Sequence, residues 1–95
     1  MNPAITAALT EAGTDVNETL ARFSGNEELY LHFLRRFPTD PSFEDMENAL
    51  AAGRLGDAAN ACHTLKGVSA NLGLSPLFAA CTALMAAFRR GKPAE

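Results

Sequence analysis

Residues 63–73 read HTLKGVSANLG, and with the residues before them they form the pattern of an amphipathic helix. An α-helix turns by about 100° per residue, so residues three and four apart lie on one face. Opposite His63 this pattern places a continuous apolar stripe, which consists of Ala58, Ala61, Leu65, Val68 and Leu72. We therefore predict a helix over residues 57–72, opened by Asp57 and ended by Gly73.

The rest of the chain also favours helices, because alanine and leucine are abundant and β-branched residues are scarce. Four more helices are predicted. The first covers residues 16–23 and is capped by Thr14 or Asp15, and the second covers residues 26–37. The third is capped by Ser42 and ends near Gly53, and the fourth is opened by Ser75 and Pro76 and stops near Gly91. We expect an all-α fold, an antiparallel four-helix-type bundle with a short extra N-terminal helix. Its domain covers residues 14–91, between an N-terminal segment, 1–13, and a C-terminal tail, 92–95.

Composition narrows the possible function classes. The chain has 95 residues, enough for one small domain, and its net charge of −3 argues against a nucleic-acid partner. Two cysteines are too few for a disulfide framework and fit a reducing compartment. No apolar run approaches the ~20 residues of a membrane span, and the N-terminus lacks the features of a signal peptide. We therefore expect a cytoplasmic protein without a membrane partner.

His63 points away from the apolar stripe, towards solvent, with Lys66 and Gly67 on its side of the helix. Neutral imidazole is a good nucleophile and can carry a phosphoryl group. The ammonium of Lys66 can stabilise negative charge on that group. A glycine inside a helix costs about 1 kcal/mol relative to alanine, so Gly67 indicates that the imidazole needs free space.

The surface around His63 also carries small and amide side chains that suit a docking partner. We predict as partner-binding residues Ala59, Asn60, Ala70 and Asn71. The sequence contains no glycine-rich phosphate loop, no cluster of acidic metal ligands and no kinase motif. The predicted protein is thus a covalent phosphohistidine carrier rather than an enzyme, and its partners supply the ATP and the metal.

This pattern resembles the histidine-containing phosphotransfer (HPt) domains of multistep phosphorelays. The resemblance rests on residues 61–73, ACHTLKGVSANLG, and on the flanking segments 49–53, ALAAG, and 22–30, RFSGNEELY. It covers roughly residues 14–91. Two features differ from the family: Met85 stands where a glutamate is frequent, and many members have another helix after the stretch that matches residues 83–91. Three explanations for the missing helix are open: the early helix fills its place, the chain self-associates, or the chain is part of a longer protein.

The resemblance implies specific roles and partners. His63 would be phosphorylated at Nε2, with Lys66 as the assisting charge and Gly67 as the clearance. The chain would accept the group from a receiver-domain aspartate or a kinase and pass it to a response-regulator receiver domain. The implied partners are receiver domains, which bring their own Mg²⁺, and a hybrid sensor histidine kinase. The chain itself would have no cofactor and would be a monomer or self-associate weakly.

Two other interpretations compete with the carrier. A small helical bundle can bind a signalling partner without any phosphorylation, and such a module would tolerate the loss of His63. A metal site is disfavoured, because no histidine or cysteine lies three or four residues from His63. Cys62, Cys81, the phenylalanines and the methionines are expected in the core, and His32 on the outer side of its helix.

Overall fold

The computed structural model describes residues 1–90, and these residues are helical with no strand. The elements are α1 (Pro3–Glu11), α2 (Val16–Arg22), α3 (Glu27–Arg36), a 3₁₀ turn (Phe37–Thr39), α4 (Pro41–Ala51), α5 (Leu55–Leu72) and α6 (Ser75–Arg89). The all-α prediction is confirmed. The predicted stop near Gly91 and the predicted tail, 92–95, lie outside the described residues.

Helices α4, α5 and α6 form the closely packed part of the bundle, with α5 in contact with both neighbours. Only residues 52–54 and 73–74 connect them, so each pair is an antiparallel hairpin. The contacts agree: Cys62 meets Cys81 and Lys66 meets Phe78, so position rises along α5 as it falls along α6. Within residues 1–90 no helix has the length and apolar character needed to cross a membrane.

The core between these helices is built largely from small side chains, which let the helix backbones approach closely. Its buried members are Ala49, Ala58, Ala59, Cys62, Leu65, Cys81, Met85 and Phe88. Larger residues surround it and are partly buried, among them Phe43, Met46 and Leu84. The expectation that every phenylalanine is a core residue is wrong, because Phe33 is 46% and Phe78 38% exposed.

Helices α2 and α3 pack against the C-terminal end of α5. Tyr30 is fully buried, and its hydroxyl donates a hydrogen bond of 3.0 Å to the carbonyl of Leu72. The guanidinium of Arg22 donates to the carbonyl of Ala70. The last carbonyls of a helix have no partner within it, so both contacts complete the end of α5. Beside them an open groove of about 630 Å³ separates α3 from α5, lined by residues that include Phe33 and Val68.

The N-terminal segment contains a helix that the sequence pattern did not predict. The side chain of Asn2 accepts a hydrogen bond of 2.7 Å from the amide of Ala4, and Pro3 occupies the first helical position. The N-terminal ammonium pairs with Glu27 at 2.6 Å. None of the residues of α1 is buried, and its signals in the sequence are Asn2 with Pro3 and the helical spacing of Ile5, Ala8 and Leu9.

Helix starts differ from prediction by one or two residues. Asp40, not Ser42, caps α4, because Pro41 takes the first helical position. Helix α5 begins at Leu55, and Asp57 pairs with Arg54 at 2.8 Å instead of capping. The cap of α2 is Asp15, one of the two predicted candidates.

Gly73 joins α5 to α6 in a left-handed conformation and at a place with no room for a side chain. Its φ is +72°, in the left-handed region. A Cβ atom here would overlap the hydroxyl of Thr19 and lie 2.9 Å from the methyl group of Thr14. Gly73 therefore ends α5, as the sequence predicts. Its missing side chain also lets Thr19 of α2 pack closely against this turn.

We expect Gly73→Ala to lower the free energy of unfolding by roughly 2–4 kcal/mol, from left-handed strain plus overpacking. Gly53→Ala is the matched control, because Gly53 has the same φ of +72° and a methyl group added there would meet nothing within 4 Å. The control should lose only about 1 kcal/mol. Equal losses for the two variants in urea unfolding would contradict the packing role of Gly73.

Candidate functional site

His63 lies near the middle of α5 and is exposed to solvent. The buried side of α5 consists of Ala58, Ala59, Cys62, Leu65, Ser69 and Leu72. The predicted stripe is thus partly correct, since Ala61 and Val68 are only half-buried. Relative to the prediction, the buried face is turned by about 50° towards Cys62 and Ser69.

This rotation removes one residue, Ala59, from the predicted partner-binding surface. Ala59 is only 7% exposed and belongs to the core cluster with Met85. Helix α6 packs on this side of α5, so Ala59 does not extend the exposed surface as expected. Asn60, Ala70 and Asn71 are exposed, as a partner-binding role requires.

The structure has free space beside His63, and this space lies on the solvent-exposed surface of the domain. Gly67 is exposed, and a Cβ atom added to it would have nothing within 4 Å. No contact inside the bundle therefore requires glycine at this position. Since glycine weakens a helix, its presence is consistent with clearance for an approaching molecule.

Lys66 lies one helical turn after His63, on the side of α5 that faces α6, and is half-buried. Its ammonium lies 5.1 Å from the centre of the Phe78 ring. Within residues 1–90 no carboxylate forms an ion pair with Lys66. Phe78 was not predicted as a site residue, because an aromatic side chain at helical spacing is usually a core residue.

A second cation, Arg22, reaches the C-terminal part of the same helix. Its guanidinium contacts the carbonyl of Ala70 and pairs with Glu18 at 2.7 Å. The pair with Glu18 has the i,i+4 spacing that a sequence reveals. The contact with Ala70 spans 48 residues and depends on how α2 packs, which no local pattern indicates.

The cysteine next to His63 is chemically protected. Cys62 is fully buried and its thiol donates a hydrogen bond of 3.3 Å to the carbonyl of Cys81. Burial, and then the neighbouring Cys81, raises the pKa of the Cys62 thiol to about 11. Because the thiolate is the reactive form, Cys62 does not compete with His63 as a nucleophile.

The other polar candidates lie elsewhere. His32, the only other histidine of the chain, is exposed on α3 with its ring edge-on to Phe33. Residues 1–90 contain no group of three or more histidine, cysteine or acidic side chains arranged to hold a metal ion. His63 is thus the histidine with a glycine one helical turn away, since α3, which carries His32, contains no glycine.

The raised pKa of Cys62 predicts how stability depends on pH. The folded protein keeps the thiol proton above pH 9, where the unfolded chain loses it, so stability falls as pH rises from about 9 to about 11. We expect a loss of about 1 kcal/mol between pH 8 and pH 10 in urea unfolding. Cys62→Ala should be flatter over this interval, and an equally steep loss in that variant would contradict the assignment.

Comparison with known protein families agrees with this geometry. The family model described as "Hpt domain" matches residues 28–95, a segment that includes most of α3 and all of α4, α5 and α6. Neither a curated protein nor a solved structure matches the chain. Because the family model spans more than half of the chain, including the helix with His63, the protein belongs to the Hpt domain family of phosphorelay histidine phosphotransfer modules.

Proposed function

We propose that His63 is the residue of this Hpt domain that carries the phosphoryl group. The observation that supports this most is the position of His63 on the exposed face of α5, one turn from Gly67. A Cβ atom added to Gly67 would meet nothing within 4 Å. Of the two histidines, only His63 lies within the HTLKG motif. His32 lies on α3 against the ring of Phe33, and although Arg35 and Arg36 follow it at helical spacing, that helix contains no glycine to leave space beside it.

The proposed reaction exchanges a phosphoryl group between two proteins. The neutral imidazole of His63 attacks the phosphorus of an aspartyl phosphate on a receiver domain, by Nε2, the ring nitrogen farther from the helix. A nitrogen–phosphorus bond forms as the oxygen–phosphorus bond breaks, and the aspartate carboxylate leaves with the electron pair. The reverse attack by an aspartate of a second receiver passes the group on.

Partners complete the chemistry in this proposal. A receiver domain brings Mg²⁺ with its aspartate, and a hybrid sensor histidine kinase introduces the group from ATP. Lys66 stabilises the charge on the phosphoryl group, and Gly67 leaves room for the receiver. Asn60, Ala70 and Asn71 are the proposed contact surface, without the buried Ala59. We propose the cytoplasm as the compartment, because both cysteines are free thiols.

Intact mass spectrometry tests the carrier role and the site together. The protein is incubated with a phosphorylated receiver domain and Mg²⁺, alongside His63→Gln and His32→Gln. We expect an acid-labile gain of one phosphoryl group on the wild type and on His32→Gln, and none on His63→Gln. Because both histidines are exposed, neither substitution should disturb the core.

Other outcomes separate the alternatives. A mass gain that persists in His63→Gln but is lost in His32→Gln would show that the site is wrong. Measurable receiver binding without any mass gain, for several receivers, would favour a helical interaction module that acts without phosphorylation. In that case His63→Gln should bind as the wild type does.

The free space beside Gly67 predicts what a side chain would do there. Gly67→Ala should raise the free energy of unfolding by about 0.5–1 kcal/mol, since the methyl group meets nothing and alanine favours a helix. The same variant should slow transfer from a phosphorylated receiver. Gly67→Leu should slow it at least about tenfold, because misplacing reacting atoms by an ångström costs this much or more.

The matched control is Ala83→Leu, on the exposed side of α6 about 200° from the buried Cys81. It adds a similar exposed side chain away from His63 and should transfer at the wild-type rate. A normal transfer rate for Gly67→Leu would refute the clearance role of Gly67.

A further inference from the structure

Phe78 is a large apolar residue at the surface of the domain. It lies in the first turn of α6, is 38% exposed, and presents its ring to the ammonium of Lys66 at 5.1 Å from the ring centre. An ammonium within about 6 Å of an aromatic ring centre is attracted by the negative face of the ring. The contact joins α6 to the charged residue nearest His63 along α5.

Lys66 has no competing partner in the described part of the chain. No ion pair or side-chain hydrogen bond of Lys66 is formed within residues 1–90. A lysine has a flexible four-carbon stem, and its ammonium would otherwise sample many positions. The ring restricts those positions without neutralising the charge, which a carboxylate would do.

We propose that Phe78 is a positioning residue, which holds the ammonium of Lys66 beside His63 so that it meets an incoming phosphoryl group. This inference rests on the proposed function of His63. The ring attracts the cation through its quadrupole and accepts no conventional hydrogen bond, so N–H donors on the side away from the ring stay available for phosphoryl oxygens. Less freedom is then lost when the charge-assisted hydrogen bonds form.

A small phosphoryl donor isolates this effect from protein docking. With phosphoramidate, the imidazole nitrogen of His63 forms a bond to phosphorus while the bond between phosphorus and the amide nitrogen breaks. Phosphoramidate reacts with its nitrogen already protonated by water, so that nitrogen takes the electron pair of the broken bond and leaves as ammonia. No receiver surface is involved, so the rate reports on the residues around His63 alone.

The experiment is a double-substitution cycle on the full chain. Rates of His63 phosphorylation by phosphoramidate are compared for the wild type, Phe78→Leu, Lys66→Ala and the double variant. Phe78→Leu keeps an apolar side chain but removes the ring face, and we expect it to slow the reaction about two- to fivefold, the range of an exposed cation–π contact. In the Lys66→Ala background the same change should have no effect.

Two further variants separate positioning from a general structural role. Phe78→Tyr retains the ring and should restore the rate to within about twofold of the wild type. Phe33→Leu removes another exposed aromatic ring, on α3, and should leave the rate unchanged. By NMR, the side-chain protons of Lys66 should also show an upfield ring-current shift in the wild type and in Phe78→Tyr. This shift should be absent in Phe78→Leu.

The outcomes distinguish this inference from the proposed function. Wild-type protein that is phosphorylated on His63, with an unchanged rate in Phe78→Leu, overturns the role of Phe78 alone. A slowing of equal size in the Lys66→Ala background does the same, because the effect would not act through Lys66. Folded wild-type protein that neither phosphoramidate nor a phosphorylated receiver domain phosphorylates on His63 overturns both proposals.

Discussion

Helix α5 is packed by α4 on one side and by α6 on the other, and its last turn is completed by α2 and α3. A helix held in this way can expose only one strip, and His63 and Gly67 lie on it. Small core residues such as Cys62 bring α6 close enough for Phe78 to reach Lys66. The exposed imidazole, the free space beside it and the restrained cation thus all follow from the packing of one helix.

The features that depend on local chemistry are predictable from the sequence. Asp15 caps α2 because its carboxylate accepts from the amide of Glu18, and Gly73 ends α5 because it adopts a left-handed conformation. At α4 the predicted cap, Ser42, is wrong. Asp40 caps α4 only because the intervening Pro41 fits the first helical position. Helix α1 also has local signals, since Asn2 and Pro3 open it and Ile5, Ala8 and Leu9 have helical spacing, although none of its residues is buried.

The features that depend on packing between helices were not predictable in the same way. The motif places His63 opposite an apolar stripe, but it does not say on which side of that stripe the next helix packs. Helix α6 lies on the side of Ala59 and Lys66, so it buries the first and supplies a ring to the second. The exposed surface around His63 is therefore asymmetric. One edge is bounded by α6 and a cation, and the other carries the amides of Asn60 and Asn71.

The proposed chemistry takes place at a single atom, Nε2 of His63, and long-range ¹H–¹⁵N NMR with ³¹P coupling tests it most directly. The ¹⁵N-labelled protein is observed after transfer from a phosphorylated receiver domain. We predict a ³¹P coupling on Nε2 of His63 and an unchanged ring for His32. Phosphorus bound to His32, or to no imidazole nitrogen in a protein that still binds the receiver, would contradict the proposed role of His63.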